Sequence, residues 1–186
     1  MSSAKSVSEN ATPGFLVWRL SMKWRVAVDR AVGPLGLTHA QYSLVASLYG
    51  MHRAGEHPSQ RRLADHTGLE PLYVSKLARS LEAAGLLDRD RDPADPRAVR
   101  LTLTDKGREV TLRAITVVQG LLEQLLEPLG GLGGERTRAF SRELAVLLDV
   151  PLDLPLGPPS GSGPRTGRAS RPSEHSGHSE EVPPEE

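Results

Sequence analysis

Apolar residues recur at helical spacing through most of the first 150 positions, and the interruptions fall where helix stops belong. Phe15, Trp18, Met22 and Val26 step along one face of a segment that ends at Gly33-Pro34, which predicts a helix over about 13–33. Thr38 with Gln41 three residues on has the form of a capping box. The helix it opens carries Tyr42, Val45, Leu48 and Tyr49 on one side and runs out near Arg53-Ala54-Gly55. Ser59 is placed to accept from the backbone N–H groups of Arg61 and Arg62. The short helix that follows holds Leu63 and Ala64 and ends at Thr67-Gly68, where a left-handed C-terminal cap suits glycine. Pro71 at a first helical position opens the next helix. Its stripe of Val74, Leu77, Ala78 and Leu81 has i, i+3, i+4, i+7 spacing, and Ala84-Gly85 closes it.

The period then changes from helical to alternating. Leu86-Leu87 and the run Val99, Arg100, Leu101, Thr102, Leu103 read as the arms of a short hairpin. Between them lies a charged loop with Pro93 and Pro96, residues that stay out of a sheet interior. Thr104 caps a long helix over about 104–127, apolar on more than one face at Val117, Val118, Leu121, Leu122, Leu125 and Leu126. Pro128 and a cluster of glycines break it, and a last helix over about 135–149 shows Phe140, Leu144, Leu147 and Leu148. Residues 1–11 read as a flexible N-terminus. Residues 150–186, rich in Pro, Gly and Ser, read as a disordered tail, because so few apolar side chains cannot offset the entropy of ordering. His175 and His178 form an isolated H-x2-H pair in that tail, and a solvated tail is the expectation for it.

The formal charge of zero hides a split: the tail carries a net −3, so the first 150 residues carry +3. Because phosphate contacts are counted locally, overall neutrality does not exclude a nucleic-acid partner. There is no Cys, hence no disulfide framework and no thiol switch. No signal-peptide pattern and no membrane-length apolar run is visible, which leads to the expectation of a cytoplasmic protein. No nucleophile motif, Gly-rich phosphate loop or metal-spaced carboxylate cluster supports an enzyme, and no cofactor or metal is expected.

The expected fold is therefore mainly α: a winged helix-turn-helix with a small β-hairpin wing in about 38–103, flanked by N- and C-terminal helices. Two helices joined by a three-residue turn lay the second in a DNA major groove. The stretches LTHAQYSLVASL and LADHTGLEPLYVSKLARSLEAAGLLDRDRDPADPRAVRLTLTDKG, with their flanking helices, resemble the MarR family of bacterial transcriptional regulators over roughly residues 12–149. The most specific part is the wing, with Asp95-Pro96-Arg97, then Leu103-Thr104 and Gly107.

That resemblance implies a homodimer in which the first, fifth and sixth helices intertwine. It also implies a pseudo-palindromic double-stranded operator, and commonly repression relieved by a small aromatic or anionic effector. The expected DNA contacts are Ser59, Gln60 and Arg61 at one helix start, where free N–H groups suit phosphate. Leu72, Tyr73, Ser75, Lys76 and Arg79 lie on the recognition helix, and Arg89, Asp95 and Arg97 on the wing. Arg97 is expected in the narrow minor groove with Asp95 bracing it. Glu70 departs from the small polar residue usual at that place, and either caps the helix or accepts from a cytosine amine. An effector crevice would draw on Trp18, Arg19, Met22, Trp24, His39 and Tyr42, residues equally suited to plain core packing. The alternative function is a winged-helix module that meets protein instead of DNA. Its mark would be a wing and recognition helix without exposed cations, and Lys76, Arg79 and Arg97 argue against it.

Overall fold

Three of the helix starts are set by the hydroxyls that the sequence marks. Thr38 Oγ1 accepts from Gln41 N at 3.2 Å while Gln41 Oε1 accepts from Thr38 N at 2.8 Å, so both halves of the capping box form. Ser59 Oγ accepts from Arg62 N at 3.2 Å, and Thr104 Oγ1 from Gly107 N at 2.9 Å. Each such cap is worth about 1 kcal/mol against alanine. The computed structural model describes residues 11–92 and 97–152. Among them run α1 (Pro13–Val32), α2 (His39–Arg53), α3 (Gln60–Thr67), α4 (Pro71–Ala83), β1 (Leu87–Arg91), β2 (Val99–Leu103), α5 (Asp105–Leu126) and α6 (Glu135–Leu148).

The stripe on α4 packs as its spacing predicts, with Val74, Leu77, Ala78 and Leu81 all buried. They join Val28 and Val32 of α1, Leu63 of α3 and Ala114 of α5 in one core. On α2 the buried face is Leu44, Val45, Leu48 and Met51, and Tyr42 and Tyr49, read on the same side as Val45 and Leu48, are partly buried against the core. Gly68 is left-handed at φ 67°, and the turn between α3 and α4 is Gly68-Leu69-Glu70, one residue later than the Thr67-Gly68-Leu69 expected from the sequence.

The hairpin differs most from expectation. The charged residues Asp88 to Arg91 are not loop but the body of β1, paired antiparallel from Leu87↔Leu103 to Arg91↔Val99. Leu87, Leu101 and Leu103 make the apolar face of this ribbon, Asp88 and Asp90 stand exposed on the other face, and Arg89 and Arg91 alternate with them onto the leucine side. The outer edge of β2 is partly covered as well, by a bridge between Ser59 and Arg100. The start of α3 is thereby fastened to the wing.

The root of the wing explains Gly107. Leu86 carbonyl accepts from Thr104 N at 3.2 Å, Thr104 Oγ1 donates to Gly85 carbonyl at 2.8 Å, and Lys106 Nζ donates to Ala84 carbonyl at 2.8 Å. This draws α5 so close that a β-carbon at Gly107 would collide with the Leu86 carbonyl. A second unit of the chain begins at Leu148, and only its first residues, to Leu152, are described. The tail, its His175/His178 pair and the first ten residues lie outside the described residues.

Candidate nucleic-acid interface

The recognition helix α4 buries one face and leaves the opposite one to solvent. Leu72, Lys76 and Arg79 follow one another at i, i+4, i+7 on the line opposite the core stripe, and all three are exposed. Tyr73 is exposed beside them, and half-buried Ser75 accepts from Arg79 Nη2 at 3.2 Å, which directs that guanidinium along the helix. Glu70 stands at the N-cap position with an exposed side chain that makes no capping bond. The capping role considered for Glu70 is therefore not taken up.

Ser59 and Gln60 are half-buried at the start of α3, and Arg61 is exposed. The Ser59 oxygen is engaged with Arg62 N, leaving its own proton to donate outward. Arg62 lies 3.8 Å from Glu56. On the wing, Arg97 is exposed at the start of the descent into β2, while Asp95 lies outside the described residues. Arg89, expected at a phosphate, is instead 21% exposed and bonds Glu82 of α4 at 3.2 Å. Its stem lies opposite Leu101 in the ladder. Arg89 thus ties the wing to the recognition helix. Glu82 escaped the sequence reading because nothing local links it to a strand that begins after the turn. Arg100 makes a similar ion pair with Asp92 at 3.9 Å.

The residues expected around an effector do not assemble into one site. Trp18, Arg19 and Met22 line an open hollow of about 820 Å³ along α1, together with Lys23 and Arg30, which the sequence reading did not include. Trp24 turns the other way, toward Leu121 and Leu125 of α5. His39 and Tyr42 line neither hollow. His39 N donates to Asp29 Oδ1 at 2.6 Å, adding a tertiary cap to α2, and burial holds the imidazole below the ordinary histidine range despite Asp29. Burial likewise raises the Tyr42 hydroxyl. His52 is pulled down by burial too, opposed by the Leu101 backbone and helped by His57, Arg108 and Arg100.

The flanking helices present a different surface. Phe15, Leu16, Val17, Leu20 and Val26 of α1 are exposed in rows, as are Phe140 and Leu144 of α6. An apolar hollow of about 560 Å³ opens between α1, α5 and α6, with Leu20, Leu125, Phe140 and Leu144 among its walls. Among the described residues no group of histidines and carboxylates is spaced to hold a metal, and no helix is long and apolar enough to cross a membrane.

Residues 35–98, from shortly after α1 to the residue before β2, match the family model of the MarR family. The chain is 34% identical over 116 residues to the HTH-type transcriptional regulator YdcH of Bacillus subtilis (strain 168), a match that spans 62% of this chain and 79% of that one. Among solved structures it is similar to the transcriptional repressor CouR, from Rhodococcus jostii RHA1, bound to a 23-mer DNA duplex, with a TM-score of 0.63 and 30% identity over 74% of this chain and 92% of that one. It is also similar to the transcriptional regulator PcaV from Streptomyces coelicolor in complex with its natural ligand, with a TM-score of 0.64 and 25% identity over 81% and 99% of the two chains. An exposed cationic line on the second helix of a helix-turn-helix, a paired wing and these relatives agree: the chain belongs to the MarR family of DNA-binding transcriptional regulators.

Proposed function

We propose that the chain works as a homodimeric repressor that grips a pseudo-palindromic operator with two recognition helices and two wings. The observation that carries this is the pairing of surfaces: an outward line of Leu72, Lys76 and Arg79 on α4, and uncovered apolar rows on α1 and α6. Two-fold pairing through α1, α5 and α6 would set the recognition helices in successive major grooves, about one turn of DNA apart. Tyr73, Ser75, Lys76 and Arg79 then face bases or adjoining phosphates, while Ser59, Gln60 and Arg61 hold the backbone. Arg97, braced by Asp95, enters the minor groove. Arg89 contributes by fixing the angle of the wing against α4, through Glu82. Glu70, with no cap bond to make, is left to accept from a cytosine amine, and its charge opposes binding to the wrong register.

The PcaV and CouR structures hold a ligand and DNA respectively, and a ligand-released repressor fits this chain as well. The hollow on α1, with Trp18 and Met22 for an aromatic body and Arg19, Lys23 and Arg30 for an anion, is the place to look. A ligand there acts through unequal affinity for the DNA-competent and incompetent spacings of the dimer. The protein would do this in the cytoplasm, beside the genes it controls.

Footprinting of the full chain on its own upstream intergenic DNA tests this. Two protected half-sites about one helical turn apart, resistant to unrelated competitor, are expected. Protection that competitor removes equally from all sequences would contradict it and favour a winged helix that serves a protein partner.

A further inference from the structure

Between Ala27 and Thr111 the structure leaves two large hydrophobic side chains exposed, and they are neighbours: Leu72 at 86% and Tyr73 at 43%. Both sit in the first turn of α4. Every other large apolar residue of the described helix-turn-helix and wing is buried or half-buried. Leu72 is not at a frayed end or a loop tip. It occupies the outward line of the recognition helix, one turn ahead of Lys76 and two ahead of Arg79. An apolar knob followed by two cations on the same line of the helix fits a polyanion that carries an apolar feature. In the major groove that feature is the C5-methyl group of thymine, and side chains near the start of a recognition helix are the ones that reach base edges.

We infer that Leu72 is a specificity-determining residue that reads a thymine methyl in each half-site, with the Tyr73 ring closing the contact from the side. The inference rests on the DNA-binding reading given above and deepens it by naming a base. Leu72 has no hydrogen-bonding group, so it distinguishes thymine from cytosine only through the methyl. Contact with a single methyl, buried between Leu72 and its neighbours, corresponds to about a fourfold gain in affinity per half-site.

The test uses the full chain and a duplex it enriches from a randomised pool. Each thymine of that duplex is replaced in turn by deoxyuridine, which removes the methyl and nothing else. The expected result is one sensitive thymine per half-site, with about a fourfold loss for one replacement and about sixteenfold for both. Leu72→Ser should bind the thymine and deoxyuridine duplexes equally, and Leu72→Met should restore the difference. Leu72 is exposed, so neither substitution disturbs the core, and an unchanged far-ultraviolet dichroism spectrum checks this. A duplex indifferent to every replacement, or an undiminished loss in Leu72→Ser, overturns the inference and leaves sequence-specific binding standing. A pool that enriches no sequence overturns the DNA-binding reading, and the inference with it.

Discussion

The two halves of the molecule treat their apolar residues differently. In the helix-turn-helix and wing, the chain buries almost every large one within itself, down to Leu63, Leu81, Leu87 and Leu101. In α1 and α6 it leaves them in exposed rows: Phe15, Leu16, Val17 and Leu20 on one helix, Phe140, Leu144 and Leu147 on the other. The first half is closed upon itself, and in the proposed dimer the second is half of an interface. Exposure therefore has two meanings in one chain. A whole row of exposed apolar side chains calls for a second protein surface of similar extent. An isolated exposed pair, Leu72 with Tyr73, beside Lys76 and Arg79 calls for a small apolar group on a charged partner.

The sharpest way to break this contrast is to spoil one half and watch the other. Leu20→Glu places a carboxylate on the wall of the α1–α5–α6 hollow. It should leave monomers and weaken operator binding by about a hundredfold or more, because two linked half-sites become single ones. Size-exclusion chromatography and a binding titration read the two effects. A dimer that persists would remove the contrast.

The winged half should fail differently, by losing stability. Gly107→Ala drives a β-carbon into the Leu86 carbonyl and should cost roughly 3 kcal/mol, the upper range for overpacking, as a lowered denaturant midpoint. Gly120, on the same helix with open space around it, supplies the control: Gly120→Ala should be stabilising by about 0.5–1 kcal/mol. Equal effects at the two sites would show that the root of the wing is not closely packed.

Within the wing the contrast narrows to two arginines. Arg97→Ala should weaken operator binding by about 1–3 kcal/mol with little change in stability. Arg89→Ala should leave the salt dependence of binding unchanged, since Arg89 is spent on Glu82, and lower stability by less than about 1 kcal/mol for a partly exposed pair. A salt slope reduced by about one in the Arg89 variant would instead assign that side chain to a phosphate.

The smallest effect concerns pH. His39 and His52 both titrate below the ordinary histidine value of 6.5 in the folded chain, chiefly through burial. The unfolded chain therefore takes up protons first as pH falls below that value. Stability is full above it and declines as pH drops toward the lowered folded values. Thermal melts from pH 8 to pH 5 should show that decline, and the variant with His39→Gln and His52→Gln should flatten it. A melting temperature that rises on acidification over this range would contradict the sign.

Local signals carried far in this chain, and long-range ones did not. Thr38, Ser59 and Thr104 announced helix starts because such a cap is a contact between residues three apart, and Gly68 announced a helix end because glycine suits the left-handed backbone there. The α4 stripe was legible for the same reason. The strand character of Asp88 to Arg91 was hidden, since those residues alternate only in charge, and their pairing is decided by β2 across the hairpin. The link from Arg89 to Glu82 and the seat of His39 on Asp29 depend on packing between elements, which spacing does not encode. The family motif pointed to Gly107, while the collision that requires glycine there became visible only in three dimensions.

The most direct measurement is the stoichiometry of the complex between the full chain and a duplex it selects, by sedimentation equilibrium. Two chains per duplex on a site with two-fold symmetry, its half-sites centred about one helical turn apart, is the predicted result. One chain bound to a single asymmetric site would mean that the exposed rows of α1 and α6 serve something other than a second copy.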